Sequence, residues 1–415
     1  GNIMNNFSKI LILFSLVLTA GIRPATGQQP SSDPSWGIRF SGFVRSDYWY
    51  DSRKIVSIRE DLFLLLPSPV LPDQQGNDIN ANGGFNYSAI FSRLTGTITG
   101  PDAFGAKTSG VLDADFSGVS NADVNGLRLR HAFGRLRWEN TELLFGQFWH
   151  PMFVPKVFPN VISLNTGAPF QPFIRSPQIA LTRFWGNYNL QLAMISQRDH
   201  ASDGPLGVRS DYMRNSLVPN VHLQLQFDNQ KTIWGLAADF KRLRPRLVTE
   251  ANLQTAETID NWSFMAYARH NSGNLTLRGK AIYGQNLFEH MMLGGYAVRS
   301  IDPLTRFETY TPTNHLFVWG NLTYGRTVQA SIFAGFARNF GTTHTNTGVF
   351  FGRGHNIAYM YRIAPSISFV SNRVQIASEL EYTIAAYGQP DNHGIIAASE
   401  QVSNLRMKVS LFYNF

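Results

Sequence analysis

The chain has 415 residues, with 36 Lys and Arg against 28 Asp and Glu, a formal net charge of +8, and no cysteine. Without cysteine there is no disulfide scaffold, no thiolate metal site and no lipid-modified cysteine. The positive charges alternate with apolar residues along extended stretches and form no cluster, which excludes a patch that could grip nucleic acid.

The chain opens with Met4 to Lys9, polar and basic, followed by the apolar run Ile10–Ala20 and the small residues Ala25-Thr26-Gly27. That order predicts a secretory signal peptide over residues 1–27, cut before Gln28. Removing Lys9 and Arg23 leaves 34 basic against 28 acidic residues, or +6. No later stretch is long and apolar enough to cross a bilayer as a helix. Residues 28–415 show no linker, repeat or change of texture, and they read as a single β domain. After the polar lead Gln28–Ser35, strands are expected at Gly37–Tyr50, Tyr87–Thr99, Lys107–Phe116, Leu127–Trp138, Glu142–Trp149, Gln178–Trp185, Tyr188–Gln197 and Val221–Phe227. Eight more are expected at Thr232–Arg242, Trp262–His270, Leu275–Tyr283, His315–Tyr324, Val328–Phe340, Asn356–Val370, Arg373–Tyr387 and Asn404–Phe415.

The connections between these sixteen segments alternate in length. Those after even-numbered strands are short: Gly100–Ala106, Glu139–Thr141, Gly186-Asn187, Asp228–Lys231, Asn271–Asn274, Gly325–Thr327 and Ser371-Asn372. Those after odd-numbered strands are mostly long, as in Asp51–Asn86, His150–Pro177, Leu243–Asn261 and Gln285–Asn314. An even strand count, short turns at one end and long loops at the other describe a transmembrane antiparallel β-barrel of the bacterial outer membrane, with outer-membrane lipid around it. A soluble sandwich or propeller has no reason to segregate loop lengths in this way.

The last strand shows the two faces of such a wall. Leu405, Met407, Val409, Leu411, Tyr413 and Phe415 fall on one side and Arg406, Lys408, Ser410 and Asn414 on the other. Barrels of this class end on an aromatic residue, and Tyr413 with Phe415 would sit in the periplasmic aromatic girdle. One hairpin can be set in register by taking Ser371-Asn372 as a two-residue turn. Phe369 then opposes Val374, Ile367 opposes Ile376, Ile363 opposes Leu380 and Tyr361 opposes Tyr382, all towards lipid. The other face pairs Ser368 with Gln375, Ser366 with Ala377 and Arg362 with Glu381.

Carrying that alternation along the chain puts Arg39, Arg45, Asp47, Arg93, Asp113, Asp115, Arg128, Arg130, Arg278, Lys280, Arg362, Glu379, Glu381, Arg406 and Lys408 on the pore-lining face. Across neighbouring strands, Asp113 should meet Arg130 and Asp115 should meet Arg128. Likewise Glu379 should meet Lys408 and Glu381 should meet Arg406, so part of the basic lining is neutralised in place. The remaining excess of cations predicts a weak preference for small anionic solutes. The third outer loop, residues 150–177, is rich in proline and aromatic residues. It is expected to fold into the barrel and narrow it, with Lys156 and Arg175 as the charges that meet solute.

Catalytic and cofactor signatures are lacking. There is no Gly-x-Ser-x-Gly, His-Glu-x-x-His, phosphate-cradling Gly-x-x-x-x-Gly-Lys or Gly-x-Gly-x-x-Gly. The ten histidines show no metal-ligand spacing, so no metal, cofactor or catalytic residue is assigned. Asp113-Ala114-Asp115-Phe116-Ser117-Gly118 begins like a calcium loop, but its twelfth position is Val124 where such a loop needs a bidentate Glu.

Gly100–Gly118, Leu127-Arg-Leu-Arg-His-Ala-Phe133 and Leu144-Phe-Gly-Gln-Phe-Trp-His-Pro151 resemble the DcaP-like outer-membrane porins, distantly akin to phosphate-selective porins. The resemblance implies a sixteen-stranded homotrimeric channel with an inward third loop, passing small and often anionic solutes. Some members carry an N-terminal periplasmic coiled coil, for which Gln28–Trp36 is too short. The function expected is passive diffusion of small hydrophilic, preferentially anionic solutes through a water-filled barrel. A channel with a binding site for one solute class, an outer-membrane hydrolase and a structural or partner-binding barrel remain open.

Overall fold

Sixteen antiparallel strands close on themselves in the computed structural model, which describes residues 36–415. The leader expected over residues 1–27 lies outside the described residues. In chain order the wall strands are β1 (Gly37–Asp51), β2 (Arg93–Ala103), β3 (Ala106–Asp115), β4 (Arg128–Arg137), β5 (Thr141–Trp149), β6 (Arg175–Trp185), β7 (Tyr188–Ile195) and β8 (Asn220–Asp228). The second half comprises β9 (Thr232–Leu243), β10 (Ile259–Ser272), β11 (Leu275–Gln285), β12 (Glu308–Gly325), β13 (Val328–Thr342), β14 (Ile357–Ser371), β15 (Val374–Gly388) and β16 (Ser399–Asn414). Each strand pairs with its sequence neighbours, and β16 pairs back to β1, from Phe43 opposite Asn414 to Asp51 opposite Arg406. At the foot of that seam Gly42 and Phe415 exchange main-chain hydrogen bonds of 3.1 and 3.0 Å. Closure leaves no unpaired edge, a condition that hydrocarbon imposes on any sheet crossing it.

The alternation read from the sequence appears as alternating exposure. Along β16 Met407, Val409, Leu411 and Tyr413 are exposed, whereas Arg406, Lys408 and Ser410 are buried. Turns at 104–105, 138–140, 186–187, 229–231, 273–274, 326–327 and 372–373 lie at one end, and the long loops lie at the other. The expected second strand is the one that differs most. Gly84–Ser88 pairs with the upper part of β1, the chain leaves the ladder at 89–92, and β2 then runs from Arg93 to Ala103. At the loop end β12 begins at Glu308 and β16 at Ser399, because these strands stay paired with their neighbours above the expected apolar band.

The hairpin register set on Ser371-Asn372 needs correction. Ser371 opposes Val374, so the two turn residues are Asn372 and Arg373, with Asn372 in the left-handed region at φ 51°. Asn tolerates that conformation better than Ser does, which moves the turn by one residue. The ladder therefore pairs Phe369 with Ile376, Ile367 with Ser378, Ile363 with Tyr382 and Arg362 with Thr383. Each partner moves by two residues, so every side chain keeps its face.

The barrel is not hollow. The third outer loop, residues 150–174, lies inside it, and Met152, Phe153, Val154, Val157, Ala168, Phe170 and Phe173 are buried in one apolar cluster. Their partners point inward from β9 to β15: Ile233, Met265, Tyr267, Ile282, Phe317, Trp319, Phe333, Met360, Ala364 and Ala385. Phe63, Leu65 and Leu66 join from a small hairpin of the first outer loop, Ile55–Ile58 paired with Phe63–Pro67. Phe170 is fully buried, a burial that stabilises by about 2–3 kcal/mol. Its ring lies on Gly335 of β13, where an added Cβ would come within 2.6 Å of it, so a larger residue there would lift the loop from the wall.

Cysteine pairs on the lipid face distinguish the two registers. Ile367→Cys with Ser378→Cys should form a disulfide in the folded barrel, because directly opposed residues bring their Cβ atoms within bridging distance. Ile367→Cys with Ile376→Cys should stay reduced; gel mobility with and without reductant reads the outcome, and the opposite result would refute the observed register.

Candidate functional site

The inward-facing charges are used mainly to hold the main chain of the inserted loops. Arg362 on β14 donates from its two Nη atoms to Ala168 O at 2.7 Å and Leu65 O at 2.8 Å, and from Nε to Thr383 Oγ1 at 2.9 Å. Lys280 on β11 donates to Met152 O at 2.9 Å and Phe153 O at 2.8 Å. From β1, Arg45 reaches Ile162 O at 2.6 Å and keeps Asp47 at 3.0 Å. Glu379 on β15 accepts the main-chain N–H groups of Ile162 and Ser163 at 2.7 and 3.0 Å, and Glu381 accepts the Asn165 amide at 3.2 Å. A loop buried in a barrel has few other partners for its peptide groups.

The expected charge ladders hold in part. Asp115 opposes Arg128 and pairs with it at 2.8 Å. A register shift puts Asp113 opposite His131, yet Arg130 still reaches Asp113 at 2.9 Å and Asp115 at 3.2 Å. With their carboxylates given to arginines, Asp113 and Asp115 do not build a cation loop. On β15 and β16, Glu379 opposes Lys408 and Glu381 opposes Arg406, but the close ion pairs form with β1 instead. Arg406 grips Asp51 through two bonds of 2.9 and 2.7 Å, and Lys408 lies 3.3 Å from Asp47. The glutamates on the other side are held by the third loop, so the aspartates of β1 are the available partners. Arg406 also donates to Leu62 O and Asp61 O of the first loop.

Four expected residues stand apart from this pattern. Arg278 is half-buried and donates to Asn321 at 3.4 Å and Thr323 at 3.3 Å. Arg93 is half-buried between the rings of Phe43 and Phe91, and Arg39 is exposed at the short-turn end. Lys156, at the tip of the third loop, is exposed and pairs with Asp228 at 2.6 Å.

Open space lies against the opposite side of the wall, β4 to β8. At the loop end a cavity of about 800 Å³ is lined by Arg59, Arg128, Arg198, Arg209, Arg214 and Arg353, with Asp199 and Asp211 as its carboxylates. Towards the short turns a second cavity of about 450 Å³ is lined by Arg135, Arg137, Glu142, Lys156, Thr182, Asn189, Gln191, Gln224 and Gln226. Arg175 sits between them. Its guanidinium is 2.8 Å from Asp199 on the outer side and 4.8 Å from the ring centroid of Trp149, which lines the inner cavity. Trp149 in turn stacks on Phe153 with centroids 3.7 Å apart and meets Phe173 and His131 edge-on. Burial alone would raise the Asp199 carboxyl, but the charges of Arg175, His200 and Arg128 outweigh it and hold the group well below the usual carboxylate range.

The structure also brings together His150, His222 and Asp239, whose potential ligand atoms all lie within 4.8 Å of one another. Sequence spacing gave no sign of this cluster, since its members come from the third loop, β8 and β9. Its hydrogen bonds decide what it does. His150 Nδ1 accepts from Met152 N–H at 3.1 Å, so Nε2 carries the proton and donates to Asn220 Oδ1 at 2.7 Å. His222 donates from Nδ1 to Asp239 at 2.9 Å. A metal-bound His150 would need a proton on Nδ1, where it would face the Met152 N–H. The cluster is therefore a hydrogen-bonded anchor for the start of the third loop.

Sequence reasoning missed Asp51, Arg59 and Asp199 as well. Asp51 was legible in principle, since it shares the inward parity of Arg45 and Asp47 one step beyond the expected strand end. Arg59 and Asp199 sit on loops, where no periodicity marks them.

The fold is that of outer-membrane porins. The DcaP channel of Acinetobacter baumannii superimposes with a TM-score of 0.68 at 15% identity, covering 94% of this chain and 100% of that one. The anion-selective porin from Comamonas acidovorans gives 0.54 at 12% identity over 92% of this chain and 100% of that chain. The outer-membrane protein OmpT of Vibrio cholerae gives 0.55 at 8% identity over 93% and 100%. No protein-family model and no curated protein matches the sequence.

Removing Arg362 tests the pinning. Arg362→Met orphans the buried carbonyls of Leu65 and Ala168 and should destabilise the barrel by at least about 2 kcal/mol, with faster amide exchange in both loops. Arg278→Met, on a half-buried side chain whose hydrogen bonds go to Asn321 and Thr323 of the wall, should change stability by less than about 1 kcal/mol. Urea unfolding in detergent, with hydrogen exchange mass spectrometry, measures both.

Proposed function

We propose that this protein is a channel of the Gram-negative outer membrane through which small hydrophilic solutes diffuse passively, with anions preferred. The observation that carries the reading is the pair of cavities along β4 to β8, one at each end of the barrel, with six arginines against two aspartates around the outer one. Clustered cations in a low-dielectric mouth raise the local concentration of anions and depress that of cations. The solute path runs off-centre, beside the third loop, and not through the middle of the barrel. Homotrimeric assembly in outer-membrane lipid is part of the proposal; a trimer form is on record for the Vibrio cholerae OmpT.

One observation favours a selective channel over a wide diffusion pore. Between the two cavities Arg175 lies over Trp149, which stacks on Phe153, so a solute moving from one cavity to the other would pass this buried guanidinium. A hydrolytic role has less support. The buried His222–Asp239 pair faces Gln224 on its other nitrogen and not a serine or threonine hydroxyl.

Purified protein in planar lipid bilayers should give discrete conductance steps with chloride favoured over potassium. Replacing the exposed vestibule residues Arg198 and Arg214 together with Gln should lower that preference severalfold with little change in stability. Absence of any conductance from correctly folded protein would rule out transport, and an unchanged ion preference in the double variant would rule out the vestibule as its source.

A further inference from the structure

The inner cavity, towards the short turns, carries a patch of uncharged polar side chains that the ladder aligns in two rows. Across β6, β7 and β8, Thr182 opposes Gln191 and Gln191 opposes Gln224; nearer the turns, Phe184 opposes Asn189 and Asn189 opposes Gln226. All of these line the same cavity of about 450 Å³. The patch is fixed from behind by a chain of hydrogen bonds. His222 links Asp239 to Gln224 Oε1, Gln224 donates to Tyr267 Oη at 2.8 Å, and Tyr267 donates to Gln226 Oε1 at 2.8 Å. Tyr267 reaches β8 from β10 by crossing Gly235 of β9, where an added Cβ would collide with its ring and hydroxyl. Gln226 Nε2, Gln191 Oε1 and the whole Asn189 amide are left without a hydrogen-bond partner among the described residues. The charges beside them are already engaged: Arg135 and Arg137 lie 3.4 and 3.8 Å from Glu142, and Lys156 pairs with Asp228.

We propose that the inner cavity binds an uncharged, polyhydroxylated solute of the class of a pyranose sugar through the amides of Asn189, Gln191 and Gln226. The site rests on the channel reading for its purpose, though not for its chemistry. Free donors and free acceptors stand side by side in this patch. A hydroxyl is both, so neighbouring hydroxyls of a sugar satisfy an amide N–H and an amide carbonyl together. A carboxylate only accepts, and it would leave Gln191 Oε1 facing a negative charge. Apolar surface for the C–H face of a sugar ring comes from Leu144, Ala180 and the third-loop residues Pro151, Val154 and Pro155. The volume falls within the range of small-molecule sites, about 300–1,000 Å³. Because Gln224 and Gln226 are oriented before solute arrives, part of the ordering cost of binding is already met.

Glucose and glucuronate share a pyranose ring and differ by one carboxylate, so the pair serves as probe, each titrated calorimetrically into the detergent-solubilised full-length protein at one salt concentration. Glucose should bind, and glucuronate should bind about tenfold more weakly, the cost of one unmatched polar group. Gln226→Glu keeps the acceptor for Tyr267 but removes the free donor, and it should weaken glucose binding about tenfold. Asn189→Ala combined with Gln191→Ala should abolish binding. No glucose binding by the unaltered protein, equal or tighter binding of glucuronate, or undiminished glucose affinity in either variant would overturn the site. Should the variants fail to fold, the unaltered protein decides: a photoreactive glucose should label β6, β7 or β8, and labelling confined to other segments overturns the proposal. Bilayer recordings on the same samples separate the two readings. Glucose binding without conductance would uphold the site and remove the channel, while conductance without glucose binding would do the reverse.

Discussion

The whole interior depends on one constraint: a peptide segment placed inside a barrel must find hydrogen-bond partners there. The third loop brings proline, glycine and aromatic residues into the lumen with little secondary structure to satisfy its own main chain. The wall supplies what is missing. Arg45, Lys280 and Arg362 take carbonyls, Glu379 takes two amides, and His150 caps the first turn. All of these but His150, which lies in the loop itself, are charged side chains fixed on rigid strands, which makes the loop part of the wall and not a movable flap.

That constraint also explains where space remains. The inner faces of β9 to β15 carry the apolar residues that the third loop covers, with charges such as Lys280 and Arg362 set among them to hold its main chain. The inner faces of β4 to β8 carry Gln, Thr, Asn and Arg, and both cavities lie against them. Apolar burial on one side of the lumen and wet polar surface on the other are two outcomes of a single division of the wall. It leaves Arg128 beside the open space, whereas Arg362, Arg406 and Lys408 are sealed beneath the loops.

The barrel was legible in the sequence because period-two alternation and loop-length alternation are both imposed by the bilayer, and neither depends on the details of packing. Strand ends and registers were less so. The slip at Asn372 came from a turn preference that the hydrophobic pattern does not encode, since a shift of two keeps every face. The lumen was the hardest part to read. On β12 both faces are apolar, with Leu316 and Val318 outward and Phe317 and Trp319 inward, so alternation cannot reveal that the inner face is covered by a loop. The ladder arithmetic placed Glu379 opposite Lys408 and Glu381 opposite Arg406 at the level of the backbone. It could not anticipate that loop amides would claim the glutamates and leave Asp47 and Asp51 to the cations.

The competition among acceptors decides which cations are fully committed. Inside the barrel Arg128, Arg406 and Lys408 are matched to carboxylates of the wall, which have no freedom to leave. Arg175 differs in that its carboxylate is on a loop at the edge of an open cavity, and its donors are incompletely used. A cation can exchange one counter-ion for another anion at little electrostatic cost only where the first is free to leave, because one charge-assisted pair then replaces another. Cations locked to wall carboxylates cannot do so without leaving a buried charge unpaired.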